Sequence, residues 1–97
     1  MYEKENEKMS ENEIYKAALN KFGATKQIFK TFEEMAELQV AISQNQTKGI
    51  GNYNEIAEEI ADVRIMLEQM LILFDCRGLS DRYKREKVAR LEKVVER

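Results

Sequence analysis

The sequence predicts an all-α protein, and three observations carry that prediction. Among 97 residues there is no proline and there are only four glycines, so little interrupts a long helix. No segment alternates apolar and polar residues with the period of two that a half-buried strand requires. Apolar residues instead recur at steps of three and four, the spacing that gathers side chains on one face of a helix. One four-helix domain is expected over residues 10–97. It follows a polar, aperiodic leader (residues 1–9, MYEKENEKM) that is expected to be frayed and is given no function.

Each helix has its own signals. Ser10 with Glu13 forms the pattern of a capping box, and Ile14, Ala17, Ala18 and Leu19 supply a short stripe ending at Gly23. From about Thr25 a second helix places Ile28, Phe32, Met35 and Ile42 on one expected buried face, and it fades over Ser43 to Gln46. Gly49 and Gly51 mark a turn, after which Asn52 with Glu55, or Asn54, is placed to cap a third helix. There Ile56, Ile60, Val63, Leu67, Met70 and Phe74 form the clearest stripe of the chain. Gly78 is read as its end and Ser80 or Asp81 as the cap of a fourth helix, with Tyr83, Val88, Leu91, Val94 and Val95 set among charges.

Composition removes several classes of function. A formal net charge of −2 disfavours a polymeric nucleic acid partner, which is held by gathered Lys and Arg. The most apolar run, Val63 to Phe74, contains Arg64, Glu68 and Gln69 and falls short of the roughly 20 residues of a membrane span. A single cysteine, Cys76, cannot form an internal disulfide, and the expected compartment is a reducing cytoplasm. The absence of histidine excludes a Glu-x-x-His di-iron site and disfavours zinc.

Chemistry is suggested where acids interrupt apolar helical faces, in Phe32-Glu33-Glu34-Met35-Ala36-Glu37-Leu38 and in Ile56-Ala57-Glu58-Glu59-Ile60-Ala61-Asp62-Val63. Spacing i to i+3 puts two side chains on one face, so each helix offers a pair of carboxylates: Glu34 with Glu37, and Glu59 with Asp62. If the two helices pack, four carboxylates converge and a cation must balance them. Oxygen-only ligation suits a hard ion such as Mg2+, which keeps positions for water and substrate phosphates. Glu33 and Glu58 are expected to face solvent.

These segments resemble the all-α nucleoside triphosphate pyrophosphohydrolases, a family that includes MazG-like enzymes, dimeric dUTPases, dCTPases and phosphoribosyl-ATP pyrophosphatase. Its Glu-x-x-Glu and Glu-x-x-Asp signature matches Glu34-Met-Ala-Glu37 and Glu59-Ile-Ala-Asp62, and the resemblance extends over roughly residues 14–75. It implies a MazG-like bundle completed by a second subunit, as a homodimer or homotetramer. It further implies Mg2+ held by Glu34, Glu37, Glu59 and Asp62, and hydrolysis of a nucleoside triphosphate between its α and β phosphates. Which acid takes the proton of the attacking water is left open among these four, Glu33 and Glu58. Lys30, one turn before Glu34, and Lys84, Lys87 and Arg90 in the basic fourth helix are candidates for phosphate contacts. The chain differs from many relatives in having no Trp and no Asn within residues 79–97, which leaves Phe22, Phe29 and Tyr53 as aromatic candidates for the base. Two other readings remain: a non-catalytic helical interaction module, and a nucleotide sensor that binds without hydrolysis.

Overall fold

The computed structural model describes residues 8–96. Among them it contains four helices and no strand: α1 (Glu11–Phe22), α2 (Ala24–Lys48), α3 (Tyr53–Leu73) and α4 (Arg77–Val95). Most of the leader, residues 1–7, lies outside the described residues, and Lys8 and Met9 have no regular structure. No described helix is long and apolar enough to cross a membrane.

The start of α1 follows the sequence signal. The Glu13 amide donates to Ser10 Oγ (3.1 Å) and the Ser10 amide to Glu13 Oε1 (2.8 Å), so two otherwise unpaired helix donors are satisfied reciprocally. Gly23, at φ 92°, closes α1 and opens α2. Gly49 ends α2 in the left-handed conformation, two residues beyond the expected fade, because its amide still reaches the Asn45 carbonyl. Asn52 does occupy the cap position of α3, but its side chain works across the turn. Its Nδ2 donates to the Ala41 carbonyl (2.9 Å) and to Glu55 Oε1 (3.0 Å), tying the turn back to α2.

The end of α3 differs from the sequence reading. The helix stops at Leu73, and Gly78 sits inside the first turn of α4, so neither Ser80 nor Asp81 is its cap. The amide of Cys76 bonds the Leu71 carbonyl and that of Asp75 bonds the Ile72 carbonyl, the two bonds of a Schellman motif. Asp75 takes the left-handed position at φ 50°, a role that Asp tolerates better than most residues. Arg77 then pairs with Glu68 (2.8 Å) and fastens the start of α4 to α3.

Helices α2 and α3 form an antiparallel hairpin, in which Gln27 lies opposite Gln69 and Ala41 opposite Asn52. The buried residues of α2 are Gln27, Thr31, Glu34 and Ala41, and those of α3 are Met66 and Gln69. The expected buried face of α2 is therefore corrected by one position: the seam runs through residues 27, 31, 34 and 41, while Phe32, Met35 and Ile42 are exposed and Ile28 is half-buried. On α3 the expected stripe divides: Ile56, Val63 and Met70 are half-buried, while Ile60, Leu67 and Phe74 are exposed beside a seam at Glu59, Met66 and Gln69. A one-residue step from the seam turns both antiparallel helices toward the same side, so the two apolar stripes form one continuous face. Helix α1 packs on both α2 and α3, whereas α4 touches only α3 and leaves Tyr83, Val88, Leu91, Val94 and Val95 exposed. The radius of gyration is 17.5 Å, well above the roughly 13 Å of a compact chain of this length.

The seam is held by polar pairing. Gln27 Nε2 donates to Gln69 Oε1 at 2.7 Å, Gln69 Nε2 approaches the Met66 sulfur, and Thr31 Oγ1 donates to the Gln27 carbonyl. Leaving one buried amide unpaired costs about 1 to 3 kcal/mol, whereas replacing both partners by apolar groups is nearly neutral. Urea unfolding is expected to show a loss of this size for Gln27→Leu and recovery of most of it in Gln27→Leu/Gln69→Leu. Equal, additive losses would show that the amides do not act as a pair.

Candidate metal centre

The offset that exposes the apolar stripes delivers acids to the seam. Glu34 holds a seam position of α2, and Glu59 and Asp62 face it from α3 one turn apart, so all three converge where the helices touch. One carboxylate oxygen from each of Glu34, Glu59 and Asp62 lies within 4.8 Å of the others. Opposite ligands of a single Mg2+ or Ca2+ ion stand about 4 to 5 Å apart, so this spacing suits a hard divalent cation.

Burial strengthens the case. Glu34 is only 8% exposed, and its Oε2 has no hydrogen-bond partner. The Oε2 of Glu59 is buried and equally without a partner. Orphaned carboxylate oxygens are costly to keep from water, and two of them on residues of the same trio fit an ion that the donor set would hold. The described protein supplies one close countercharge: Lys30 Nζ lies 3.3 Å from Glu34 Oε1, leaving the other oxygen free. That contact raises the Lys30 pKa, chiefly through the hydrogen bond and charge of Glu34.

Glu37 stands one turn from Glu34, outside the trio and exposed. Its carboxyl is held above the usual range, first by hydrogen bonding to Glu34 and then by the Glu34 charge, with a contribution from Glu59. Glu59 is also shifted upward, first by burial and then by the charges of Asp62 and Glu34. Glu33 and Glu58 are exposed, as expected from the sequence.

The basic candidates separate. Lys30 belongs to the site, but Lys84 and Lys87 line a shallow groove on α4 with Tyr83, Val88 and Leu91, and Arg90 is exposed on the same helix. Since α4 touches only α3, and begins fifteen residues beyond Asp62, these three cations are not beside the carboxylates of their own chain. Sequence reasoning missed the cleft adjoining the acids, which Glu37 and Glu59 share with Val40, Gln44 and Glu55. Its one legible signal was Glu55, a helical turn before Glu59.

The raised carboxyls give a pH dependence whose sign can be worked out. A folded pKa above the unfolded value means that the folded protein binds protons more readily. This contribution to stability is full below the unfolded value and is lost as pH rises through the folded one. In EDTA the melting temperature is expected to fall as pH rises above the ordinary carboxylate range, and to fall less in Glu37→Gln/Glu59→Gln. A wild-type curve no steeper than that of the double variant would contradict the electrostatic description. Comparison of the chain with protein-family models, with curated proteins and with solved structures gave no match.

Proposed function

We propose that this protein is a Mg2+-dependent nucleoside triphosphate pyrophosphohydrolase, converting a nucleoside triphosphate and water to the monophosphate and pyrophosphate. The observation that carries the reading is the convergence of Glu34, Glu59 and Asp62 with two buried, unpartnered oxygens. The resemblance of the segments around Glu34-Met-Ala-Glu37 and Glu59-Ile-Ala-Asp62 to the all-α pyrophosphohydrolases supports the choice of reaction.

Glu34, Glu59 and Asp62 would hold the ion, with Glu37 beside them. The chemistry such an ion would supply is neutralisation of charge developing on phosphate oxygens and activation of water as the nucleophile. Lys30, paired with Glu34 Oε1 at 3.3 Å, would offer an ammonium to the phosphates beside the ion. Glu37, which lines the adjoining cleft, would be one of the acids able to accept the proton of the attacking water.

A second copy of the chain completes the assembly in this reading, as a homodimer or as a tetramer of two dimers. Support comes from the apolar face of Phe32, Met35, Ile42, Ile60, Leu67 and Phe74, which the single chain leaves in solvent, and from its extended form. Assembly also offers a use for Lys84, Lys87 and Arg90, which would meet the phosphates at the site of the other copy.

The test is pyrophosphate release from a panel of ribo- and deoxynucleoside triphosphates, with Mg2+ and with EDTA. Release is expected only with the ion, and Glu59→Gln and Asp62→Asn should each lower it at least about a hundredfold while the helical circular dichroism is kept. Near-full turnover in EDTA or in both variants would refute the site. Binding without release would leave a nucleotide sensor. For assembly, Phe32→Glu/Leu67→Glu should sediment as a monomer where the wild type does not, and a monomeric wild type would refute the second copy.

A further inference from the structure

Two surfaces of the chain lie open to solvent and have complementary chemistry. The first is a cleft of about 300 Å³ between α2 and α3, where Glu37, Glu55 and Glu59 stand beside Ala36, Val40 and Ala41. Glu55 precedes Glu59 by one helical turn, so the acids continue from the metal centre along α3. The second is a groove of about 390 Å³ on α4, where Lys84 and Lys87 stand among Tyr83, Val88 and Leu91. Neither is covered within the chain: Val40, Tyr83, Val88 and Leu91 are each 47% to 58% exposed, and α4 touches only α3.

We infer that the α4 groove docks into the acidic cleft of a second copy of this chain, so that each copy lends Lys84 and Lys87 to the metal centre of the other. The inference rests on the second copy proposed above and not on the reaction. Helical spacing sets Lys84 and Lys87 within the arc spanned by Tyr83, Leu91 and Val88, not on the charged side of α4. Whatever covers that arc must bury apolar side chains and answer two ammonium groups at once. The exposed stripe of Phe32, Met35, Ile60 and Leu67 offers the first without the second, whereas the cleft offers both an apolar wall and carboxylates.

Charge and spacing agree with that occupant. Residues 77–97 hold eight Lys or Arg against four Asp or Glu, while residues 1–76 hold eight against fourteen, so the two parts of one chain carry opposite excess charge. Lys84 and Lys87 are about 4.5 Å apart along their helix and Glu55 and Glu59 about 6 Å along theirs, a difference that flexible lysine side chains absorb. The exchange is reciprocal, with α4 of each copy meeting the cleft of the other, so it closes under a two-fold axis and leaves neither surface open. It also adds cations beside Glu37 and Glu59, where among the described residues Lys30 is the one close cation of the carboxylate trio.

The experiment is sedimentation of the full chain and of two charge-reversed variants, alone and mixed. Lys84→Glu/Lys87→Glu should assemble at least about tenfold more weakly than the wild type, and so should Glu37→Lys/Glu55→Lys, because each sets like charges against one another. All four positions are exposed on helices, so the helical circular dichroism should be unchanged. Mixed in equal amounts, the two variants should recover assembly, since every α4 then meets a cleft of opposite charge. A mixture that assembles no better than its separate parts, or a Lys84→Glu/Lys87→Glu variant that assembles as well as the wild type, overturns the inference while leaving the second copy and the reaction intact. In that case something other than the cleft of a second copy covers α4. A monomeric wild type overturns the inference and the second copy together, and the reaction is then judged by pyrophosphate release alone.

Discussion

The structure turns on the placement of like charges in the seam of an antiparallel helix pair. Helical hairpins ordinarily fill their contact line with apolar side chains, yet here the buried positions of α2 are Gln27, Thr31, Glu34 and Ala41. Glu34 meets Glu59 and Asp62, and among the described residues one close cation, Lys30, offsets three carboxylates. Such an arrangement opposes folding on its own, because charges in a partly desolvated gap repel more strongly than in water. In the proposed function a divalent cation would offset this cost, and the site would then lie at the same contact that organises the fold.

The amide pair of Gln27 and Gln69 has a second role in this scheme. A seam built of interchangeable apolar residues can slide by a turn, whereas a buried Gln–Gln hydrogen bond is satisfied in one register only. That register sets Glu34 against Glu59 and Asp62. Moving acids and amides into the seam also rotates the apolar stripes outward, onto one side of the hairpin. The exposed Phe32, Ile60, Leu67 and Phe74, the isolated α4 and the large radius of gyration are then consequences of a single choice about what faces the contact line.

Much of this was legible in the sequence, and the parts that were not have physical reasons. Four helices, the Ser10 capping box and the two carboxylate pairs could be read from spacing alone, since helical period and caps are local properties. The seam could not: Ile28, Phe32, Met35 and Ile42 do lie on one face, but hydrophobic periodicity says only that a face seeks cover, not which neighbour covers it. Assigning it to α3 placed it one residue wrong. The end of α3 was missed because Asp75 takes a left-handed position usually given to glycine, and Gly78 lay close enough to claim it. Convergence of Glu34, Glu59 and Asp62 was anticipated from i to i+3 spacing, whereas the exposure of Glu37 and the cleft toward Glu55 depend on the hairpin's three-dimensional register.

The most direct measurement is thermal unfolding of the wild type and Glu59→Gln across a Mg2+ titration that begins in EDTA. If the seam carboxylates form a metal site, the metal-free variant melts at a higher temperature than the metal-free wild type, because one repelling charge is gone. The order then reverses as Mg2+ stabilises the wild type, by about 2.7 kcal/mol at a hundredfold excess over its dissociation constant, and leaves the variant behind. Parallel curves for the two proteins, or a wild type indifferent to Mg2+, would contradict the account.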